Sequence, residues 1–178
     1  MVYNNAVKYR QHISGLTLLE LMVAISILII TLLLAVPSFA KWHEGNRFKH
    51  ALRHVSNLAE TAKAVAVTSQ SNVSFVVDVS AGQCAGSSRL AECDCATANA
   101  CHIDGKEYAF LAMQSGITLL TANNENRVVT FTHFGAVSFG HNTTITVKSS
   151  SHSGEVVISP LGRIKHCSTT SLSGVATC

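Results

Sequence analysis

Residues 16–36 read LTLLELMVAISILIITLLLAV, 21 residues carrying one charge, Glu20. As a helix rising about 1.5 Å per residue, this run spans roughly 30 Å, the thickness of a bilayer's hydrocarbon core. A secretory signal peptide would have a shorter apolar core followed by small residues at a cleavage site. Here the apolar run meets Pro37 and then a polar amphipathic stretch, so a membrane-spanning helix is expected. Lys8 and Arg10 precede it with no acid among residues 1–15. The positive-inside rule then leaves the amino terminus in the cytoplasm and exports the rest. Glu20 is the anomaly, because a carboxylate in hydrocarbon costs several kcal/mol and persists with a partner or a purpose.

Working outward, Phe48, Leu52, Val55, Ala59, Ala62 and Ala66 recur at steps of four and three, one face of a helix continuing to about Ser69. Pro37 interrupts the backbone ladder of that helix and is expected to kink or loosen it. Beyond it, β-rich runs at 73–79, 107–113, 117–120, 127–133, 143–148 and 155–159 are separated by Gly, Asn and Ser clusters. Residues 149–154 read as a flexible loop. The pattern is α+β, one long N-terminal helix packed on a mostly antiparallel sheet.

The chain has 178 residues, 47% of them hydrophobic, and a net charge of +3, which excludes intrinsic disorder and a strongly basic packing protein. Charge is unevenly placed. Residues 55–126 carry −4 and residues 127–178 carry +3, so the carboxyl-terminal third is the electropositive part. No GxSxG, HExxH, Walker loop or paired acidic motif occurs, and no enzyme activity or cofactor is expected.

A basic leader ending in Gly15, then Leu16, Thr17, Leu18, Leu19 and Glu20, then an unbroken apolar helix, resembles the prepilin signature of type IV pilins and type II secretion pseudopilins. The resemblance implies cleavage after Gly15 by a membrane prepilin peptidase and N-methylation of the new terminus, Leu16, where the family usually has Phe. It also implies that Glu20 is the assembly carboxylate, pairing with the terminal amine of a neighbouring subunit. The expected organisation is a leader at 1–15, a transmembrane helix at 16–36, an amphipathic half-helix at 37–70 and a β-rich periplasmic head at 71–178. The protein would sit in the inner membrane as a single-pass chain and then enter a pilus or pseudopilus with other pilins or pseudopilins.

Six cysteines, Cys84, Cys93, Cys95, Cys101, Cys167 and Cys178, fall on the exported side, where an even number argues for disulfides. Cys167 and Cys178 would close a short loop and tie the tail to the sheet. The other four lie in residues 83–101, a stretch too polar and small-residue-rich to be ordered by a core, and their pairing is open to three connectivities. Cys93, Cys95, Cys101 and His102 could instead hold a metal, but structural zinc pairs are usually spaced by two to four residues, and disulfides are preferred.

The tail, Gly162-Arg163-Ile164-Lys165-His166-Cys167, resembles the carboxyl-terminal segment of the GspH/FimT/FimU group of minor pilins. In FimT-type members a Gly-Arg-x-Arg segment binds DNA during natural transformation, so the resemblance implies non-specific double-stranded DNA as a partner of Gly162, Arg163 and Lys165. Lys165 departs from the pattern, keeping the charge without the bidentate fork of arginine. Lys148 and Arg127 would join if their strands were neighbours, and an internal salt bridge of Arg163 is the alternative. A FimT/FimU-like minor pilin that primes or caps a pilus is favoured over pseudopilin H of a type II secretion system by the cysteines and the basic tail.

Overall fold

The computed structural model describes residues 17–80, 82–90, 92–112 and 115–178. The leader at 1–15, with Gly15, and the expected new terminus Leu16 lie outside them.

Helix α1 runs from Leu18 to Thr68. Thr17 caps it: its hydroxyl accepts the Glu20 N–H at 3.2 Å and its carbonyl accepts the Leu21 N–H at 3.2 Å. Two hydroxyls in the apolar run return to the helix's own carbonyls, Ser26 to Met22 at 2.8 Å and Thr31 to Leu28 at 2.9 Å. Neither therefore needs water or a second chain to be satisfied. Pro37 stays inside the helix, where its missing N–H leaves the Leu33 carbonyl without its usual partner. The chain divides into two compact units, Met1–Lys41 and Trp42–Cys178. In the first, the described residues are exposed, large apolar side chains included.

In the second unit the helical face is inverted. Phe48, Leu52, Val55, Ala59, Ala62 and Ala66 are all fully buried, as their spacing predicts. The helix ends in a left-handed residue, Gln70 at φ +51°, with the Ser71 N–H returned to the Ala66 carbonyl at 3.3 Å. That bond satisfies a terminal carbonyl and turns the chain into the first strand.

The strands are β1 (Val73–Asp78), β2 (Cys84–Ser88), β3 (His102–Ile103), β4 (Lys106–Glu107), β5 (Ala109–Leu111), β6 (Thr118–Thr121), β7 (Arg127–Phe131), β8 (Thr143–Lys148), β9 (Ser153–Ile158) and β10 (Ile164–Ser168). They form two four-stranded antiparallel sheets, ordered β5-β2-β1-β7 and β10-β9-β8-β6, and a small β3-β4 ribbon. The ribbon turns on Asp104 and Gly105 at φ +52° and +78°, the paired left-handed residues of a two-residue hairpin. Alternate residues of the second sheet, Val156 and Ile158 on β9 and Ile145 and Val147 on β8, enter the core with Phe75 and Phe131 of the first.

The fold is α+β, as the pattern implies, but the expected single sheet is two. The expected strand at 107–113 is divided into β4 and β5 at Tyr108. The stretch 83–101 needs correction: β2 lies inside it, buried along its whole length between β1 and β5. Its small side chains lack a β signature, and pairing on both sides holds it instead. Gly86 is required there, since a Cβ would stand 2.6 Å from the Cys101 sulfur. Residues 149–154 are likewise not a loose loop but a tight β8-β9 connection closed by the Ser149 N–H on the His152 carbonyl at 2.8 Å.

Candidate functional site

The first turn of α1 places Glu20 three residues after the capping Thr17, the spacing of a capping box. Glu20 is exposed and sits at the helix's positive end, where a carboxylate is favoured. It is the single charge of the described run from Thr17 to Val36.

At the tail, β9 and β10 are joined by residues 159–163, with Pro160, Leu161 and Gly162 at the tip. The Ser159 N–H bonds the Arg163 carbonyl at 3.0 Å and the Gly162 N–H bonds the Ser159 carbonyl at 2.9 Å. Gly162, at φ +71°, supplies the left-handed position that such a three-residue hairpin requires. Its carbonyl accepts the Lys63 ammonium at 2.8 Å, which anchors the hairpin to α1. Lys165 is exposed on the outer face of β10, while His166 turns inward, its Nδ1 3.2 Å from the Ser56 hydroxyl.

Arg163 makes no salt bridge among the described residues. Its backbone N–H bonds Ser159, but its guanidinium, like the Lys165 ammonium, has no hydrogen-bond or ion-pair partner there. The tail is held by Lys63 and the turn instead. Lys148 shares the outer face of this sheet but lies two strands and four residues away, roughly 15 Å from Lys165, with Glu155 between them. Arg127 is on β7, which pairs with β1 in the other sheet, so the structure does not make its strand a neighbour of β10.

The six cysteines form three bridges, Cys84–Cys95, Cys93–Cys101 and Cys167–Cys178. The first two interlock over β2. The third ties the C-terminal segment beside β10, where the Ser168 N–H bonds the Ala176 carbonyl at 2.8 Å. Glu155 approaches Cys167 and Cys178 closely enough to suggest a metal cluster, but both sulfurs are bonded to each other and neither is a thiolate.

Three features had no reading in the sequence. Glu44 on α1 accepts hydrogen bonds through one oxygen from the hydroxyls of Ser149 at 3.2 Å, Ser150 at 2.5 Å and Ser151 at 2.7 Å, and from the Ser151 N–H at 3.1 Å. The Ser150 hydroxyl and then Ser151 hold its pKa down to about 2. Arg89 grips Asp104 with two parallel bonds of 3.0 Å and reaches Ser69 and Ser71, clamping the β3-β4 turn to the end of α1. Phe134 and Leu161, 83% and 86% exposed, stand at the tips of adjacent turns. A serine run and a Phe-Gly turn were the available signals, and neither identifies its distant partner.

No protein-family model and no curated protein sequence matches the chain. Among solved structures, the chain is similar to the type IV minor pilin FimU of Pseudomonas aeruginosa strain PAO1. One crystal form gives a TM-score of 0.51 at 15% identity over 70% of this chain and 90% of that one. A second crystal form gives 0.49 at 14% identity over 71% and 98%. One long helix, two antiparallel sheets and this likeness together give the chain a type IV pilin-like fold.

Proposed function

We propose that the chain is a minor subunit of a type IV pilus, made as a prepilin. A prepilin peptidase removes residues 1–15 after Gly15, and Leu16 becomes the N-methylated terminus. Residues 16–36 cross the inner membrane with the amino terminus in the cytoplasm, 37–70 extend the spine, and the head at 71–178 is periplasmic until the subunit joins other pilins to prime or cap a filament. One observation carries this reading: a capped apolar helix whose single membrane-depth charge is Glu20, in a chain with a pilin-like fold. A carboxylate at that depth needs a cation, and the amine of an adjacent subunit supplies one. The test is to shear surface filaments from cells and probe them for the chain. Presence of the native chain and loss of the Glu20→Ala variant support the reading; absence of both from filaments opposes it.

A second property, sequence-independent DNA binding, is favoured by Arg163 and Lys165, two exposed cations whose charged groups have no partner among the described residues. Phosphate contacts carry no base information, so affinity should fall steeply with salt. Replacing both residues with Gln should weaken duplex binding and reduce the log-log salt slope by about 1.8, which is two phosphates at about 0.9 each. An unchanged slope would make the tail a structural hairpin only.

A further inference from the structure

Helix α1 carries two histidines four residues apart, His50 and His54, in the half of the helix that packs on the head. Four residues advance a helix by about 6 Å and bring it roughly 40° past one full turn, so the two side chains leave the same face with Cβ atoms about 5–6 Å apart. Both residues are exposed. Neither imidazole has a hydrogen-bond or ion-pair partner among the described residues.

The backbone that sets their spacing is fixed from below. Ala51, Leu52 and Val55, interleaved with the pair, are sealed in the core of the head, so the two rings need no ordering of the helix before they act together. The His54 ring also rests edge-on against Phe110 of β5, centroids 5.1 Å apart. His43 cannot join them. It lies seven residues before His50, about 10.5 Å away along the axis.

The charges around the pair are of both signs. Arg47 donates to the Ser115 carbonyl, Lys49 to the Ser173 hydroxyl at 3.4 Å and Arg53 to the Gly174 carbonyl at 3.2 Å, so each cation is drawn to a segment of the head. His54, Ser115 and Glu107 line one groove of about 570 Å³, where a Glu107 oxygen accepts the Asn99 N–H at 2.8 Å. At an exposed site such charges are screened by water and salt, and bonds to the imidazole nitrogens decide what is held.

Two unpartnered imidazoles at this spacing can chelate. Imidazole nitrogen suits copper, nickel and zinc, whereas calcium and magnesium require sets of oxygen ligands. We propose that His50 and His54 together chelate a late first-row divalent transition ion, Cu²⁺ most tightly, with water filling the remaining positions on the side open to the groove. The inference concerns the head alone and stands whether or not the chain enters a filament.

The full-length chain in non-ionic detergent, stripped with a chelator and with its disulfides intact, would be titrated with the chlorides of copper(II), zinc and magnesium near neutral pH. Cu²⁺ should bind tightest, at about one ion per chain, Zn²⁺ more weakly and Mg²⁺ not at all. His50→Gln and His54→Gln should each weaken Cu²⁺ binding by at least about tenfold. The double variant should be little worse than either single one, because the chelate is lost with its first arm. His43→Gln should bind Cu²⁺ as the native chain does. Electron paramagnetic resonance of the copper complex should detect a pair of coordinated imidazoles in the native chain and a single one in each single variant. Denaturant curves of the metal-free variants should overlay that of the native chain, which separates loss of a ligand from loss of the fold. Native Cu²⁺ affinity in either single variant would overturn the proposal, and so would a loss in His43→Gln equal to that in His50→Gln.

Discussion

The carbonyl oxygen of Gly135 lies 1.8 Å from where a Cβ on Gly162 would stand, so the hairpin tip and the neighbouring turn meet backbone to backbone. The glycine of the Gly-Arg-x-Lys tail is thereby explained without reference to any ligand. It places Arg163 on a close-packed turn, while Lys63 donates to the Gly162 carbonyl from the helix side.

Gly162→Ala should therefore destabilise the protein by about 2–4 kcal/mol, combining left-handed strain with a displaced backbone. Gly174→Ala is the control. Gly174 also has positive φ, at +80°, but nothing stands within 4 Å of its Cβ position, so about 1 kcal/mol is expected. Denaturant unfolding of both variants under non-reducing conditions would compare them; equal losses would contradict the close-packing account.

Glu44 ties the base of the head's helix to the β8-β9 connection, and its link is pH-dependent. Its folded pKa, about 2, lies below the ordinary 4.5, so its contribution is present above pH 4.5 and is lost as pH falls toward 2. Glu44→Gln should be less stable than the native chain near neutrality, and the gap should close over that window. A gap independent of pH would mean that the serines act on shape alone.

The spine was legible because one physical demand dominates each half of it. Apolar length from Leu18 to Val36 and the four-three spacing from Phe48 to Ala66 leave few alternatives to a helix. Strands with branched residues, such as β8 and β9, were equally readable. Strand β2 was not, because Cys84, Ala85, Gly86, Ser87 and Ser88 owe their place to neighbours on both sides and to bridges over them. Tertiary pairing overrides propensity there. At the tail, the cations could be read from the sequence, but that the Arg163 guanidinium has no partner among the described residues could not. The meeting of the turns that carry Phe134 and Leu161 depends on a contact between segments some 25 residues apart in sequence, which local pattern does not encode.

The bridges give a direct chemical check. Peptide mapping without reduction should recover Cys84 with Cys95, Cys93 with Cys101, and Cys167 with Cys178. Each closes a short loop worth about 3 kcal/mol in the chain-entropy account. Replacing Cys167 and Cys178 together with Ser should cost about that much and loosen residues 169–178, read as faster amide exchange there. Cys84 joined to Cys93 or Cys101 would contradict the interlocked arrangement over β2.

Glu20 has two candidate roles, closing the cap begun by Thr17 and pairing with a neighbouring amine. Gln serves a capping box as well as Glu but carries no charge. Glu20→Gln should therefore leave the helix start intact and still reduce entry into filaments, whereas Thr17→Ala should cost the cap about 1 kcal/mol and spare assembly. Normal incorporation of Glu20→Gln would assign Glu20 to the cap.

Processing tests the central claim most directly. Mass spectrometry of the chain extracted from membranes of cells with an active prepilin peptidase should find a mature protein beginning at N-methylated Leu16, and Gly15→Val should retain the leader. A native chain beginning at Met1 in those cells would contradict the account of a pilin subunit.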